Sequence, residues 1–266
     1  MNQVLAAIVD GHVIAKRNVI KIKRVPEVLI WVLMSPIMFV LRFAYVFGGA
    51  ITPPDGVNYR EFLIGGIFAQ TVVFGATFTG AGIAEDMSKG IIDRFRSLPM
   101  SRSAMLVGRT SSDVIYNVLS IAIMSLTGLV VGWRIRGSVT DAIVAYALLL
   151  LFAFAFSWVM AWVGLLVPSV EVINNASFMV IMPLTFVSNA FVPLEFFPSV
   201  LQPFVEWNPV SSVTQAIREL FGNALPSTSE AWAMRHPVAY TLIWIGIILA
   251  IFVPLSIRAY KRSTLR

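Results

Sequence analysis

Residues 142–167 read AIVAYALLLLFAFAFSWVMAWVGLLV, a run without Asp, Glu, Lys or Arg. A helix needs about 20 predominantly apolar residues to cross a bilayer, so this run is long enough to span one. Five further apolar runs occupy residues 28–50, 62–84, 106–132, 172–192 and 238–257. We therefore predict an all-α polytopic membrane protein with six transmembrane helices.

The composition of the whole chain agrees with this pattern. Hydrophobic residues make up 58% and charged residues 13% of the 266, and the mean hydropathy is +0.81. Soluble domains carry about a quarter charged residues, so the composition excludes the water-soluble class. The chain has no cysteine, which excludes a disulfide framework and a thiolate metal site.

The distribution of basic residues predicts the orientation in the membrane. Fourteen of the 20 Lys and Arg residues fall on the side that holds both termini, five fall on the other side, and Arg42 lies within the first span. By the positive-inside rule, both termini are expected in the cytoplasm. Because the basic residues flank apolar runs, the net charge of +6 indicates membrane topology and not a nucleic-acid partner.

The sequence predicts one transmembrane domain over 1–266 with two amphipathic parts. Residues 1–26 are expected to form an interface helix on the membrane surface, with Arg17, Lys21 and Arg24 on its basic face. The outer loop 193–237 is too apolar for a solvated tether.

Short re-entrant or amphipathic helices are therefore expected in that outer loop, before the sixth span. In one of them Ser212 and Gln215 suggest a capping box, and Gly222 is the expected end of the helix.

A charged segment lies between the second and third spans, at residues 85–102. Apolar residues alternate with charged ones at helical spacing, which predicts a short two-faced helix that ends at Pro99. One face would contact membrane helices and the other a cytoplasmic partner. An ordinary basic loop is the alternative interpretation.

This segment resembles the cytoplasmic signature of type-2 ABC exporter permeases, closest to the daunorubicin-resistance-type membrane subunits. The similarity rests on the run from Arg94 to Met100, RFRSLPM, and on Trp207-Asn208-Pro209-Val210 before the last short helix. The residues that match the signature, and that the resemblance assigns to coupling with an ATPase, are Glu85, Asp86, Gly90, Arg94, Phe95, Arg96, Leu98, Pro99 and Ser101.

The resemblance implies a permease in a bacterial plasma membrane. Its expected partners are two copies of an ABC ATP-binding subunit, a second permease chain in a homodimer, and membrane lipids. ATP and Mg would be bound by the ATP-binding subunit, and no cofactor is expected on this chain. Independently, none of the five lysines follows a glycine, so the chain has no Walker A loop and is not itself a P-loop ATPase.

Polar residues within the predicted spans are candidates for a translocation path, because such residues are costly in lipid. They are Arg42, Gln70, Thr77, Asn174, Asn175 and Asn189. Arg42 has the alternative of reaching the outer headgroups, and Gln70 and Thr77 lie in a glycine-rich span where tight helix packing is the simpler interpretation.

Three classes of function are compatible with a polytopic membrane protein. An ATP-driven exporter of hydrophobic or amphipathic molecules, such as a drug, antibiotic, lipid or glycolipid, agrees best with the motifs. An ATP-independent secondary transporter or channel would require intramembrane carboxylates or symmetric broken helices. A membrane-embedded enzyme would require clustered catalytic groups, which the sequence does not contain.

Overall fold

The computed structural model describes residues 34, 37–42, 45, 59–91, 104–167, 169–225 and 229–262. The predicted interface helix (1–26), most of the first span and residues 92–103 lie outside these described residues. Residues 37–42, within the first predicted span, are helical.

The described residues from Tyr59 onward form nine α-helices and contain no strand. The helices are α1 (Tyr59–Gly75), α2 (Thr77–Ser88), α3 (Ala104–Val131), α4 (Val139–Leu166), α5 (Val170–Phe186), α6 (Gln202–Glu206), α7 (Pro209–Phe221), α8 (Trp232–Arg235) and α9 (Pro237–Arg262). A 3₁₀ turn at Leu194–Phe196 precedes α6. The prediction of an all-helical polytopic fold is confirmed.

Among the described residues, four helices are long and apolar enough to cross a membrane. They are Tyr59–Ser88 (α1 with α2), Met105–Val131 in α3, Val139–Leu166 (α4) and Pro237–Arg262 (α9). The predicted fifth span is shorter than expected: α5 has 17 residues, and residues 187–192 form a turn instead of continuing the helix. Its length of about 25 Å is less than the bilayer core.

Helix ends follow local sequence chemistry. The Ser138 hydroxyl accepts the Asp141 amide hydrogen bond, and the Asp141 carboxylate accepts from the Ser138 amide, so a capping box starts α4. Gly222 ends α7 with φ +71°, as predicted. The predicted capping box at Ser212 and Gln215 is wrong: α7 begins one turn earlier, at Pro209.

Helix α4 is the centre of the bundle and packs against α2, α3, α7 and α9. Its backbone approaches that of α2 at Gly164, where an added Cβ would lie 2.6 Å from the Gly80 carbonyl oxygen. Glycines at this crossing let the two backbones approach closely. The van der Waals packing that this allows stabilises the association of membrane helices.

Between α1 and α2 the helical hydrogen-bond pattern is interrupted at Ala76. The amide of Thr79 donates to the Ala76 carbonyl three residues back, at 3.0 Å, in a 3₁₀ pattern. Such interruptions within a long helix are places where the helix axis can bend.

Candidate functional site

A fully buried arginine connects α1, α7 and the turn at residues 187–192. Arg218 of α7 donates from Nε to the Phe62 carbonyl of α1, and from its two terminal nitrogens to the carbonyls of Asn189 and Ala190, each at 2.8 Å. Its guanidinium carbon lies 3.5 Å from the centre of the Phe62 ring. Backbone carbonyls and an aromatic face thus stabilise a charge that has no carboxylate within salt-bridge distance among the described residues.

The turn at residues 187–192 is held between α1 and α7. Asn208 donates to the carbonyls of Leu184 and Val187, at 2.8 and 2.6 Å, and its side-chain oxygen accepts the Val210 amide as the N-cap of α7. On the other side, a Cβ on Gly66 would lie 1.7 Å from the Ala190 carbonyl oxygen. Only glycine leaves room for this contact. The N-terminal part of α1 therefore packs as one unit with α5, the turn and α7.

A second polar group joins α1 to the loop before α4. Glu61, with its side chain 6% exposed, accepts two hydrogen bonds of 2.8 Å from Arg136 and one of 3.3 Å from Asn223. Trp133 donates to the Asn223 side-chain oxygen at 2.8 Å. The hydrogen bond and the charge of Glu61 raise the pKa of Arg136.

A buried polar cluster joins α2 to α3 in the other half of the bundle. The Thr79 hydroxyl donates to the Asp113 carboxylate, and Nε of Arg109 lies 4.0 Å from the same carboxylate. Arg109 also donates to the Phe78 carbonyl at 2.8 Å, and Asn117 donates to the Asp113 carbonyl at 2.9 Å. Arg109 and Asp113 thus pair along α3, and the Thr79 hydroxyl and the Phe78 carbonyl link this pair to α2.

Helix α5 has one buried stripe and one uncovered face. Ile173, Ser177, Ile181 and Thr185, spaced by four residues, face the bundle. Asn174 and Asn175 are exposed, together with Phe178, Met179 and Phe186. Two of the predicted path residues therefore lie on the outside of this protomer.

The remaining predicted path residues lie in different places. Gln70 is buried, and its side-chain oxygen has no hydrogen-bond partner. Asn189 is buried in the turn before α7, where its backbone amide donates to the Ser211 hydroxyl. Thr77 is half-buried at the start of α2. Arg42 is exposed on the helical segment 37–42. The structure does not bring these six residues into one site, and a path role for each stays a prediction.

Part of the predicted coupling segment is described. Glu85 and Asp86 lie in the last turn of α2, and Gly90 follows with φ +63°, which ends the helix. Lys89 pairs with Glu85 at 2.5 Å, and that carboxylate raises the pKa of Lys89. The other coupling candidates, Arg94, Phe95, Arg96, Leu98, Pro99 and Ser101, lie outside the described residues, as do Arg17, Lys21 and Arg24 of the predicted interface helix.

The bundle of long apolar helices and short connecting helices is that of a polytopic membrane protein. The chain belongs to the ABC-2 type transporter family, whose pattern matches residues 11–221. The prediction of a type-2 ABC permease is confirmed.

Three relatives illustrate the relationship. The chain is 34% identical to the daunorubicin resistance ABC transporter permease protein DrrB1 of Streptomyces coeruleorubidus, over 93% of this chain and 84% of that one. It is 26% identical to the probable doxorubicin resistance ABC transporter permease protein DrrC of Mycobacterium tuberculosis, over 89% and 82%. It is also 26% identical to the putative transport permease ycf38 of Cyanophora paradoxa, over 80% and 74%.

The residues that hold α1, α7 and the turn at residues 187–192 together could not be identified from the sequence. Arg218 was counted only as an outer basic residue, although it follows Ile217 and stands four residues after Thr214, on the face that turned out to be buried. That position was the available signal. Glu61 carries no signal in the sequence, and Asn208 carries only the Trp207-Asn208-Pro209-Val210 resemblance, because the partners of both side chains are distant in sequence.

Proposed function

We propose that this chain is the membrane-spanning subunit of an ATP-driven exporter, and that two copies enclose the path for a hydrophobic or amphipathic molecule. In this proposal two copies of a separate ABC ATP-binding subunit hydrolyse ATP with Mg, and the permease has no ATPase site of its own. Both termini lie in the cytoplasm of a bacterial cell. Membership of the ABC-2 type transporter family supports the ATP-driven mechanism.

The uncovered face of α5 is the observation that carries the two-copy path. Asn174 and Asn175 lie about 6 Å from the start of α5, which is a mainly apolar helix. Their side-chain amide groups would be unsatisfied against lipid tails. Burial by a second copy of the same face, or contact with a polar part of the substrate, satisfies them. Two facing α5 helices would therefore line the path.

The chemistry of this face suggests the class of substrate. Phe178 and Met179 are 55% and 80% exposed and offer large, adaptable apolar contacts, while the two amides offer donors and acceptors. Glu171 is the only charged residue in α5. Amphipathic molecules with fused rings or acyl chains fit such a surface. The names of two relatives, which refer to daunorubicin and doxorubicin resistance, support drugs of that kind as substrates.

The experiment that tests this proposal has two measurements. The first is co-purification of the tagged chain with an ABC ATP-binding subunit from the same cell, followed by ATP-dependent uptake of daunorubicin into inverted vesicles. Replacing Arg94 and Arg96 together with Glu is expected to abolish co-purification without preventing membrane insertion. Uptake that follows a proton gradient and needs no ATP would overturn the proposal in favour of a secondary transporter.

The second measurement locates the path. Because the chain contains no cysteine, single cysteines can be introduced without removing native ones. Met179→Cys on the uncovered face is expected to form a cross-linked dimer with a short bifunctional thiol reagent. Val144→Cys, on an exposed part of α4, is the control for random collision. Equal cross-linking at both positions would contradict a two-copy path along α5.

A further inference from the structure

The two helices that flank the predicted coupling segment, α2 and α3, are joined by two side chains that lie at equal distances from the helix ends next to that segment. Thr79 lies nine residues before the end of α2 at Ser88, and Asp113 lies nine residues after the start of α3 at Ala104. At 1.5 Å per residue, each is about 13 Å from the segment that connects the helices. The Thr79–Asp113 hydrogen bond therefore closes a hairpin of nearly equal arms.

The contacts at this closure are polar and shielded from solvent. Thr79 is fully buried, and the Asp113 side chain is only 3% exposed. A carboxylate buried in this way is costly unless donors and a cation surround it, and here Thr79 and Arg109 do so. The Arg109 side chain makes a second connection across the helices through the Phe78 carbonyl, and Gly82 leaves the space it needs, because a Cβ there would lie 1.9 Å from an Arg109 nitrogen.

The same stretch of α2 contacts α5, the helix with the uncovered polar face. A Cβ on Gly80, next to Thr79, would lie 3.4 Å from Ile173 of α5. At the junction of α1 and α2, the Phe74 ring packs edge-on against Phe178 at 6.3 Å. The interrupted helical turn at Ala76 lies between these two contacts. Displacement of the α2 residues that follow Ala76 would therefore reach α5 near Ile173, while α1 stays packed against α7 and the turn at residues 187–192.

We propose that Thr79, Asp113 and Arg109 are positioning residues that make α2 and α3 move as one lever, which transfers displacement of the coupling segment to α5. This inference rests on the proposed function, because the displacement comes from the ATP-binding subunits. With the three side chains in place, both ends of the coupling segment push on one rigid body. Without them, α3 can follow the segment while α2 and α5 stay behind.

The test compares wild type and variants by the amount of daunorubicin that reconstituted complexes transport for each ATP hydrolysed. Thr79→Val removes the cross-helix hydrogen bond with almost no change in shape, and it is expected to lower the ratio about tenfold, the change that corresponds to one lost hydrogen bond to a charged group. Thr79→Ser retains the hydroxyl and is expected to restore the ratio. Thr110→Val is the matched control, because Thr110 is equally buried but its hydroxyl bonds only to carbonyls of its own helix, those of Leu106 and Val107.

A distance measurement separates a lever from a general loss of structure. Spin labels at Ser88→Cys on α2 and Ile115→Cys on α3, both exposed positions, report the separation of the two arms. We expect a narrow distance distribution with and without ATP in the wild-type background, and a broad one with Thr79→Val. This measurement does not depend on transport, so it remains informative if no ATP-driven transport is found and the proposed function fails.

Two results would overturn the inference. One is a wild-type ratio of transport to ATP hydrolysis in Thr79→Val, and the other is an unchanged narrow distribution between the labels. If Thr79→Val does not assemble, Arg109→Gln replaces it, since it leaves the Thr79–Asp113 hydrogen bond and removes the second connection. A ratio in Arg109→Gln equal to that of the wild type would also overturn the inference.

Discussion

Replacing Arg218 with Met is expected to separate the short outer helix α7 from the turn at residues 187–192. Methionine fills much of the same space beside Gly65, where an added Cβ would lie 2.7 Å from the arginine side chain. Methionine, however, donates no hydrogen bonds. The Phe62 carbonyl lies inside the hydrogen-bonded ladder of α1. The Asn189 and Ala190 carbonyls lie in the turn and lose the donors that Arg218 supplies.

The size of the effect follows from these contacts. Two buried carbonyls without a donor cost about 1–3 kcal/mol each. The lost stacking on Phe62 adds up to about 2 kcal/mol. Removing a buried charge offsets part of this loss, because the desolvation penalty of the guanidinium disappears with it. We expect a net loss of about 2–4 kcal/mol in the free energy of unfolding.

The assay is thermal unfolding in detergent, followed by tryptophan fluorescence. For a chain of this length, the expected loss corresponds to a fall of about 5–15 °C in the midpoint. Arg235→Met is the matched control, because Arg235 has a side chain 58% exposed and pairs at 3.5 Å with an exposed Glu230. Such a pair contributes less than about 1 kcal/mol. Equal midpoints for the two variants would refute the role assigned to Arg218.

Two further predictions concern the same outer unit. Gly66→Ala would place a Cβ 1.7 Å from the Ala190 oxygen and is expected to cost about 3 kcal/mol, whereas Gly246→Ala, with nothing within 4 Å, should leave the midpoint unchanged or raise it. If both alanine variants unfold at the same temperature, the proposed close approach of α1 to the turn is wrong. Asn208→Asp keeps the cap acceptor but turns two donated hydrogen bonds into oxygen–oxygen contacts, so we expect a loss of about 2–4 kcal/mol. Ser138→Ala, which removes only a cap, should lose about 1 kcal/mol, and an equal loss in the two variants would contradict the connection from Asn208 to α5.

The long spans were predictable because hydrophobicity is a local property of the chain. Helices α3, α4 and α9 start and end within a few residues of the predicted runs at 106–132, 142–167 and 238–257, except that α9 extends to Arg262. The family was also predictable, since the resemblance rests on two short contiguous motifs, at residues 94–100 and 207–210. These features depend on neighbours in sequence, which a single sequence displays.

The fifth span shows where local reasoning fails. Residues 187–192 are apolar enough to continue a helix, yet they form a turn. The reason is that the carbonyls exposed at the end of α5 are satisfied by Asn208 and Arg218, which stand about 20 to 30 residues later in the chain. Hydropathy does not register distant donors of this kind.

The sequence by itself determined that the chain resides in a membrane, that it is helical, and that it is related to ABC permeases. The tertiary structure decided which polar residues find hydrogen-bond or ion-pair partners within the chain and which stay exposed. Arg218, Asp113 and Glu61 find partners in other helices or in loops, whereas Asn174 and Asn175 remain exposed. The cost of a polar group in a membrane depends on what surrounds it, and only the fold brings together residues that are far apart in sequence.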